Sequence, residues 1–326
     1  MYSQQPYSQP TPPKPKRRWI WGCGILGCLG LIALVVLMLV VVAALSSGGE
    51  FGGLGEKVAV IRVQGVISSG GMGLFGGTAG SSERLVPLIR RVGRDRRIKA
   101  LVLRVDSPGG SAAASQEIFD ELMKVRRQGK PIVASMGDVA ASGGYYVACA
   151  ADHIVANGST LTGSIGVIYS HTELSELFKK IGWRQEVIKS GTLKDMGSPS
   201  RPLTDEERKV LKGVIDDIYD QFVTAVSEGR KGKLTKEQIR RLADGRVYTG
   251  RQALKLKLVD ELGNYRAAIE VAARKAEIEG EPQIVDFRRP GLLSILFGDM
   301  EESALHVPRH LLLYSPEADA LAREMR

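Results

Sequence analysis

Hydrophobic and polar positions follow three different regimes along this chain. From Trp19 to Leu45, "WIWGCGILGCLGLIALVVLMLVVVAAL" contains no Asp, Glu, Lys, Arg or His. Such a run exceeds the roughly 20 apolar residues that carry a helix across a bilayer, and its two leading tryptophans suit an interfacial belt. The pattern predicts a transmembrane helix over 19–45. A buried core helix fits less well, because core helices seldom lack charge for so long. A cleaved signal peptide also fits less well: its apolar region is normally about 7–15 residues, and "VAALSS" is a poor small-x-small cleavage site.

After a glycine-rich linker over 46–56, short β-branched runs alternate with amphipathic stretches. "KVAVIRVQGVI" (57–67) predicts a strand. "SSERLVPLIRRVGRD" predicts a capped helix with Leu85, Leu88, Ile89 and Val92 on one face. "KALVLRVDSPGG" reads as strand and tight turn, "AAASQEIFDELMKVRRQG" as helix and "PIVASMG" as strand. "GDVAASGGYYVACAAD" predicts a further helix, "HIVANGSTLTGSIGVI" short strands, "HTELSELFKKIG" a helix and "RQEVIKSG" a strand. This alternation predicts an α/β fold with a largely parallel sheet.

The third regime begins at Thr204 and is mainly helical: "DEERKVLKGVIDDIYDQFVTAVSEGR", "KEQIRRLA", "TGRQALKLKL" and "YRAAIEVAARKA". No repeat at solenoid periods is visible. One domain over 57–286 is the simplest parsing. The tail over 287–326, with prolines in "FRRPG" and "HVPRH", has mixed signals and no assigned role. Residues 1–18 are polar and proline-rich with too few apolar groups to fold, and read as a disordered tail.

Charge adds an orientation. Lys14, Lys16, Arg17 and Arg18 crowd the N-terminal flank of the apolar run, whereas "SSGGEFGGLGEK" on the other side is nearly neutral. The expectation is a cytoplasmic N-terminus and an extracytoplasmic domain. The net charge is +9, of which those four residues supply +4, leaving +5 as a basic surface. No stacked-aromatic or basic-cluster pattern points to nucleic acid. Of three cysteines, Cys23 and Cys28 fall in the apolar run and only Cys149 lies beyond it, so neither a disulfide framework nor a CxxC metal site is expected. No metal or cofactor is expected.

The candidate chemistry centres on Ser142. It is flanked by an alanine pair and by Gly143 and Gly144, glycines that cost a helix about 1 kcal/mol each relative to alanine. A serine hydroxyl attacks only when a base is within hydrogen-bond reach and donors wait for the oxyanion. Glycines let a substrate backbone approach, and a helix start presents unpaired N–H groups. "DSPGG" offers a second donor at Gly109 or Gly110. The base is harder to find. His153, His171, His306 and His310 have no paired acid at an informative spacing. A lysine is the remaining option, and it must be neutral, so its pKa has to fall from about 10.4 toward 7, at a cost of about 4 kcal/mol. Lys194, in the glycine-flanked "SGTLKDMGSP", is the better placed candidate, and Lys189 competes with it.

Taken together, "VDSPGG", "GDVAASGGYYVACAAD", "TGSIGV" and "SGTLKDMGSPSRPLT", in this order after one apolar helix, resemble the short form of signal peptide peptidase A, peptidase family S49. The resemblance spans about 57–280. It implies a ClpP/crotonase-like fold of stacked ββα units and a serine endopeptidase with a Ser-Lys dyad that degrades remnant signal peptides after export. By the family pattern, Ser142 matches the nucleophile, Lys194 the general base, Ser164 the hydroxyl that orients the lysine, and the amides of Gly109 and Gly143 the oxyanion hole. It also implies ring or dome-shaped homo-oligomers whose neighbouring subunits complete a site. The rival readings are a ClpP-type membrane protease acting on a stomatin-like partner, a crotonase-fold acyl-CoA enzyme, and an inactive membrane scaffold.

Overall fold

Valine, isoleucine and leucine dominate the first two strands because each is covered on both faces. In a computed structural model, which describes residues 34, 37, 38, 56–70 and 80–287, β1 (Lys57–Gln64) sends Ala59, Ile61 and Val63 to one side of the sheet and Val58 and Val60 to the other. It pairs in parallel with β2 (Ile98–Ser107), which pairs in parallel with β3 (Ile132–Ala141). Strands buried on both faces read as continuous apolar runs rather than as alternation. The crossovers are α1 (Ser82–Arg94), which buries Leu85, Ile89 and Val92, and α2 (Ala112–Arg127), whose Ser111 cap accepts from the Ala114 amide. Both pack on the larger core.

Two short parallel strands follow the six-residue helix α3 (Gly143–Ala148): β4 (His153–Ala156) beside the first half of β3, and β5 (Leu161–Gly163) beside its second half. The chain then runs through α4 (Ser175–Lys180), α5 (Asp205–Gly229), α6 (Lys236–Leu242), β6 (Val247–Thr249), α7 (Gly250–Lys255), β7 (Glu261–Leu262), α8 (Tyr265–Lys275) and β8 (Gln283–Asp286). The main sheet order is β6-β5-β3-β2-β1-β8, with β4 joining β3 to β7 and β6 alone antiparallel to its neighbour β5. Helix α8 covers the second face with Ala268, Ile269, Val271 and Ala272. The result is a mixed α/β sheet with helices on both sides.

Two expectations need correction. Residues 137–141 are strand, not helix: β3 continues to Ala141. The register against β2 shifts after Val105, and the Asp106 carboxylate fills the gap by accepting from the Val139 amide at 3.1 Å. Thr160 and Thr162 hydroxyls donate to the carbonyls of Gly137 and Ala140, both at 2.7 Å, so distant side chains hold this half of the strand. Nor does "RQEVIKSG" form a strand; no neighbour pairs with it among the described residues, and Ile188 is 96% exposed. Strand β8 has no counterpart among the elements the sequence pattern predicts.

The chain divides into two units, Met1–Gly55 and Glu56–Arg326. In the first, positions 34, 37 and 38 are helical. The remainder of the expected 19–45 helix, the 1–18 tail and the tail beyond 287 lie outside the described residues. Among the described residues no helix is long and apolar enough to cross a membrane.

Candidate active site

Ser142 occupies the sharp turn between β3 and α3, with φ 52° and ψ −123°. A non-glycine residue in this region costs on the order of 1–3 kcal/mol and persists only where the surroundings over-determine it. Here they do: the Ser142 amide donates to the Gly163 carbonyl at 2.8 Å, and its carbonyl accepts from the Tyr146 amide at 2.9 Å. A serine on a strained strand-to-helix turn projects its hydroxyl clear of the sheet. That position is over a pocket of about 280 Å³, whose walls include Ser115, Tyr146, Val167, Ile168 and Phe222. Phe119 and Phe222 flank the Tyr146 ring with centroids at 5.3 and 5.0 Å, which fixes the pocket floor.

The glycine turn after β2 lies directly against the serine. A Cβ added to Gly109 would stand 2.6 Å from the Gly143 amide nitrogen and 2.8 Å from Ser142 Cβ, so only glycine permits the approach. Gly109 has φ 101°, a second reason for its lack of a side chain. Its own N–H, however, donates to Ser107 Oγ at 3.1 Å, and that hydroxyl donates to the Gly65 carbonyl at 2.6 Å. Gly110, its neighbour, lines the pocket with Ser142 and Gly143, and its nitrogen is 3.3 Å from where a Gly143 Cβ would be. The turn thus offers two glycine amides beside Gly143, with that of Gly109 already engaged. Gly109→Ala is expected to lower kcat by roughly 10²–10³-fold, the usual cost of one oxyanion donor, because the new methyl displaces the Gly143 amide; peptide turnover measured beside far-UV circular dichroism checks it.

Ser164 follows Gly163, the residue bonded to the Ser142 amide, and has φ 50°. Its amide donates to the Arg246 carbonyl at 2.8 Å. The structure therefore places Ser142, Ser164, Gly109 and Gly143 around one strand end. It does not bring Lys194 there. Lys194 lies in the turn over 191–197, its amide donating to the Gly191 carbonyl at 3.1 Å, and its side chain is exposed rather than covered by small residues. It is exposed because the 167–203 excursion barely packs on its own sheet: α4 buries no residue.

Other candidate groups are engaged or sealed elsewhere. Lys189 Nζ donates to the Asp195 carboxylate at 2.6 Å and to the Thr192 carbonyl at 3.0 Å. His153 opens β4 and meets Glu261 at 3.1 Å. Cys149 is fully buried at the end of α3, and burial pushes its thiol up to about 12, so it is no rival nucleophile. Among the described residues no cluster of His, Cys, Asp or Glu could hold a metal ion.

A strained serine turn over a pocket, at a strand end of a mixed α/β sheet, is suited to presenting a nucleophile, and related chains agree. The model of peptidase family S49 matches residues 124–279. A protein of Synechocystis sp., provisionally named a protease, is 41% identical over 231 residues, covering 71% of this chain and 78% of its own. One of Enterococcus faecium, provisionally named signal peptide peptidase SppA, is 36% identical over 230 residues, 70% of this chain and 66% of its own. Among solved structures, a mutant of a membrane-bound stomatin-specific protease aligns over 73% of this chain and all of its own, at 13% identity and a TM-score of 0.48. The chain belongs to peptidase family S49 and is a serine peptidase.

Proposed function

We propose that this chain is a membrane-anchored serine endopeptidase that degrades remnant signal peptides, with Ser142 as nucleophile and Lys194 as general base. The observation that carries the reading is the strained Ser142 turn, pressed against Gly109 and Gly143 over an apolar-walled pocket. In the reaction, Ser142 Oγ bonds to the scissile carbonyl carbon while its proton passes to the neutral amine of Lys194. The Gly143 amide, with that of Gly109 or Gly110, holds the oxyanion, and Ser164 aims the amine. Collapse breaks the C–N bond, the lysine returns the proton to the leaving amine, and water releases the acyl group by the same route. Small and apolar side chains near the cut suit walls of Ala112, Val167 and Ile218.

The fold is read as the ClpP/crotonase type, the 19–45 run as the anchor, the N-terminus as cytoplasmic and the catalytic domain as extracytoplasmic. No cofactor enters the mechanism. The base, exposed in one chain, comes from the next subunit of a homo-oligomeric ring. Support lies in the apolar side chains left bare on the 167–203 excursion and the first half of α5, Ile168, Leu177, Ile181 and Val214 among them, a surface monomers rarely keep open.

Mixing tests this arrangement. Ser142→Ala and Lys194→Ala chains, each inactive alone, are expected to recover about one quarter of the wild-type rate when co-assembled at equal amounts, since a random ring then pairs an intact serine with a neighbour's lysine at that frequency. Turnover of a fluorogenic peptide reads the result. No recovery means that both groups must come from one chain.

A further inference from the structure

Lys194 belongs to a projection with almost no hydrophobic anchorage. From Val167 to Leu203 the chain leaves the sheet, and Ile168 is 89% and Ile188 96% exposed. The first half of α5 projects as well: past Glu207, its buried residues begin only at Phe222. A base for proton transfer must nevertheless hold its position to within a fraction of an ångström, because a misplacement of about 1 Å can cost roughly 10²-fold in rate. Something other than apolar packing has to fix it.

One guanidinium does. Arg201 Nε and Nη2 donate to the two oxygens of Asp195 at 3.1 and 2.8 Å, and Nη1 and Nη2 donate to the two oxygens of Glu207 at 2.9 and 2.5 Å. Asp195 is the residue after Lys194 and takes a further bond from Lys189 at 2.6 Å. Glu207 sits in the first turn of α5, 1% exposed, and closes the helix cap by accepting from the Thr204 amide at 2.8 Å while Thr204 Oγ1 accepts from the Glu207 amide at 3.2 Å. A planar fork that engages two carboxylates bidentately fixes both in distance and in plane, which a lysine cannot do. The turn that carries Lys194 is thereby bolted to the start of a 25-residue helix whose far end is packed in the core.

We propose that Arg201 is the positioning residue for the lysine base: by bridging Asp195 to Glu207 it holds the Lys194 turn rigidly on the N-terminus of α5. This rests on the reading of Lys194 as the base. Without Arg201, Asp195 keeps only the Lys189 contact, Glu207 keeps only its cap, and the turn is free to shift against the helix.

The test uses the full chain in detergent, with kcat and KM for a small-apolar fluorogenic peptide measured separately. Arg201→Ala is expected to lower kcat about 10²-fold with KM changed less than about threefold, since positioning serves the chemical step and not substrate binding. Guanidinium ion at tens of millimolar is expected to restore at least about tenfold of that loss by refilling the fork, and Arg201→Lys to lie between the two. A merely structural role would give neither rescue nor a loss confined to kcat. If Arg201→Ala keeps kcat within about threefold while Lys194→Ala is inactive, the positioning role is overturned and the dyad stands. If Lys194→Ala is itself active, the dyad reading fails, and Arg201 loses its assigned task with it. Should Arg201→Ala fail to fold, Glu207→Gln decides: a tenfold or greater fall in kcat at unchanged thermal midpoint supports the clamp, and unchanged kcat overturns it.

Discussion

Ser142→Ala is expected to reduce kcat/KM toward a small-apolar peptide by at least about 10⁴-fold, and Lys194→Ala by a comparable factor, with both chains folded. The size follows from how the two groups act. In the proposed dyad the two side chains serve one step, so losing either would remove the covalent route entirely and leave only what the proposed oxyanion donors and binding supply. The alanine change is also structurally mild. It deletes one oxygen from a position set by backbone bonds to Gly163 and Tyr146, neither of which uses the side chain. Lys189→Ala should stay within about tenfold of wild type, since its ammonium is committed to Asp195 and contributes one of several contacts there. Fluorogenic peptide turnover by the full chain, with thermal midpoints as the folding control, gives the answer. A Ser142→Ala chain that keeps its rate would mean the hydroxyl does no chemistry, and an inactive wild type would favour the scaffold reading.

What made the serine visible in the sequence was its cost. Two glycines after a serine in an otherwise apolar stretch are unfavourable for packing alone, and the structure shows what each is for: Gly143 lies against the Gly109 turn, and a Cβ on Gly144 would stand 2.7 Å from the Ser107 carbonyl. Parallel strands were legible for a similar reason, because β1 and β2 are buried on both faces and read as unbroken β-branched runs. Other features rest on partners remote in sequence. The small residues of "DVAA" have no period to separate strand from helix, and the strand is made by Asp106, Thr160 and Thr162 from outside it. "RQEVIKSG" has strand composition but no neighbour among the described residues to pair with. Glu207 reads as an ordinary cap residue; its tie to Arg201 joins a loop to a helix and leaves no periodic trace.

Asp260→Asn is expected to give the largest loss of stability, about 3–5 kcal/mol, the usual cost of stranding one member of a buried ion pair. Arg230 follows the last residue of α5 and is 0% exposed. It donates to the two Asp260 oxygens at 3.0 and 2.6 Å and to the Lys257 carbonyl at 3.1 Å. Lys233 adds a contact at 2.5 Å, and the same carboxylate accepts from the Ile154 amide at 2.9 Å, the second residue of β4. Burial alone would push the Asp260 carboxyl up, but Arg230, with Lys233 behind it, outweighs this and holds the group well below the usual carboxylate range. The sign for pH follows: a carboxyl depressed in the folded state contributes stability that is fully present above its unfolded value of about 3.9 and is lost as pH falls below it. Wild type should therefore soften steeply below about pH 4 and the variant less so. For a domain of this size the expected fall in thermal midpoint is roughly 6–20 °C at neutral pH. The consequence reaches the Ser142 turn, because a Cβ on Gly229, the residue before Arg230, would run into the carbonyl oxygen of Cys149 at the end of α3, and Tyr145 of that helix donates to the Leu258 carbonyl at 2.8 Å. The pair thus anchors the far end of the helix that begins after Ser142. Replacing both partners by apolar residues, Arg230→Met with Asp260→Leu, should restore most of the stability, since an isosteric apolar contact replaces a charge pair at little net cost. A single variant that melts with wild type would show that the buried arginine finds another counter-charge.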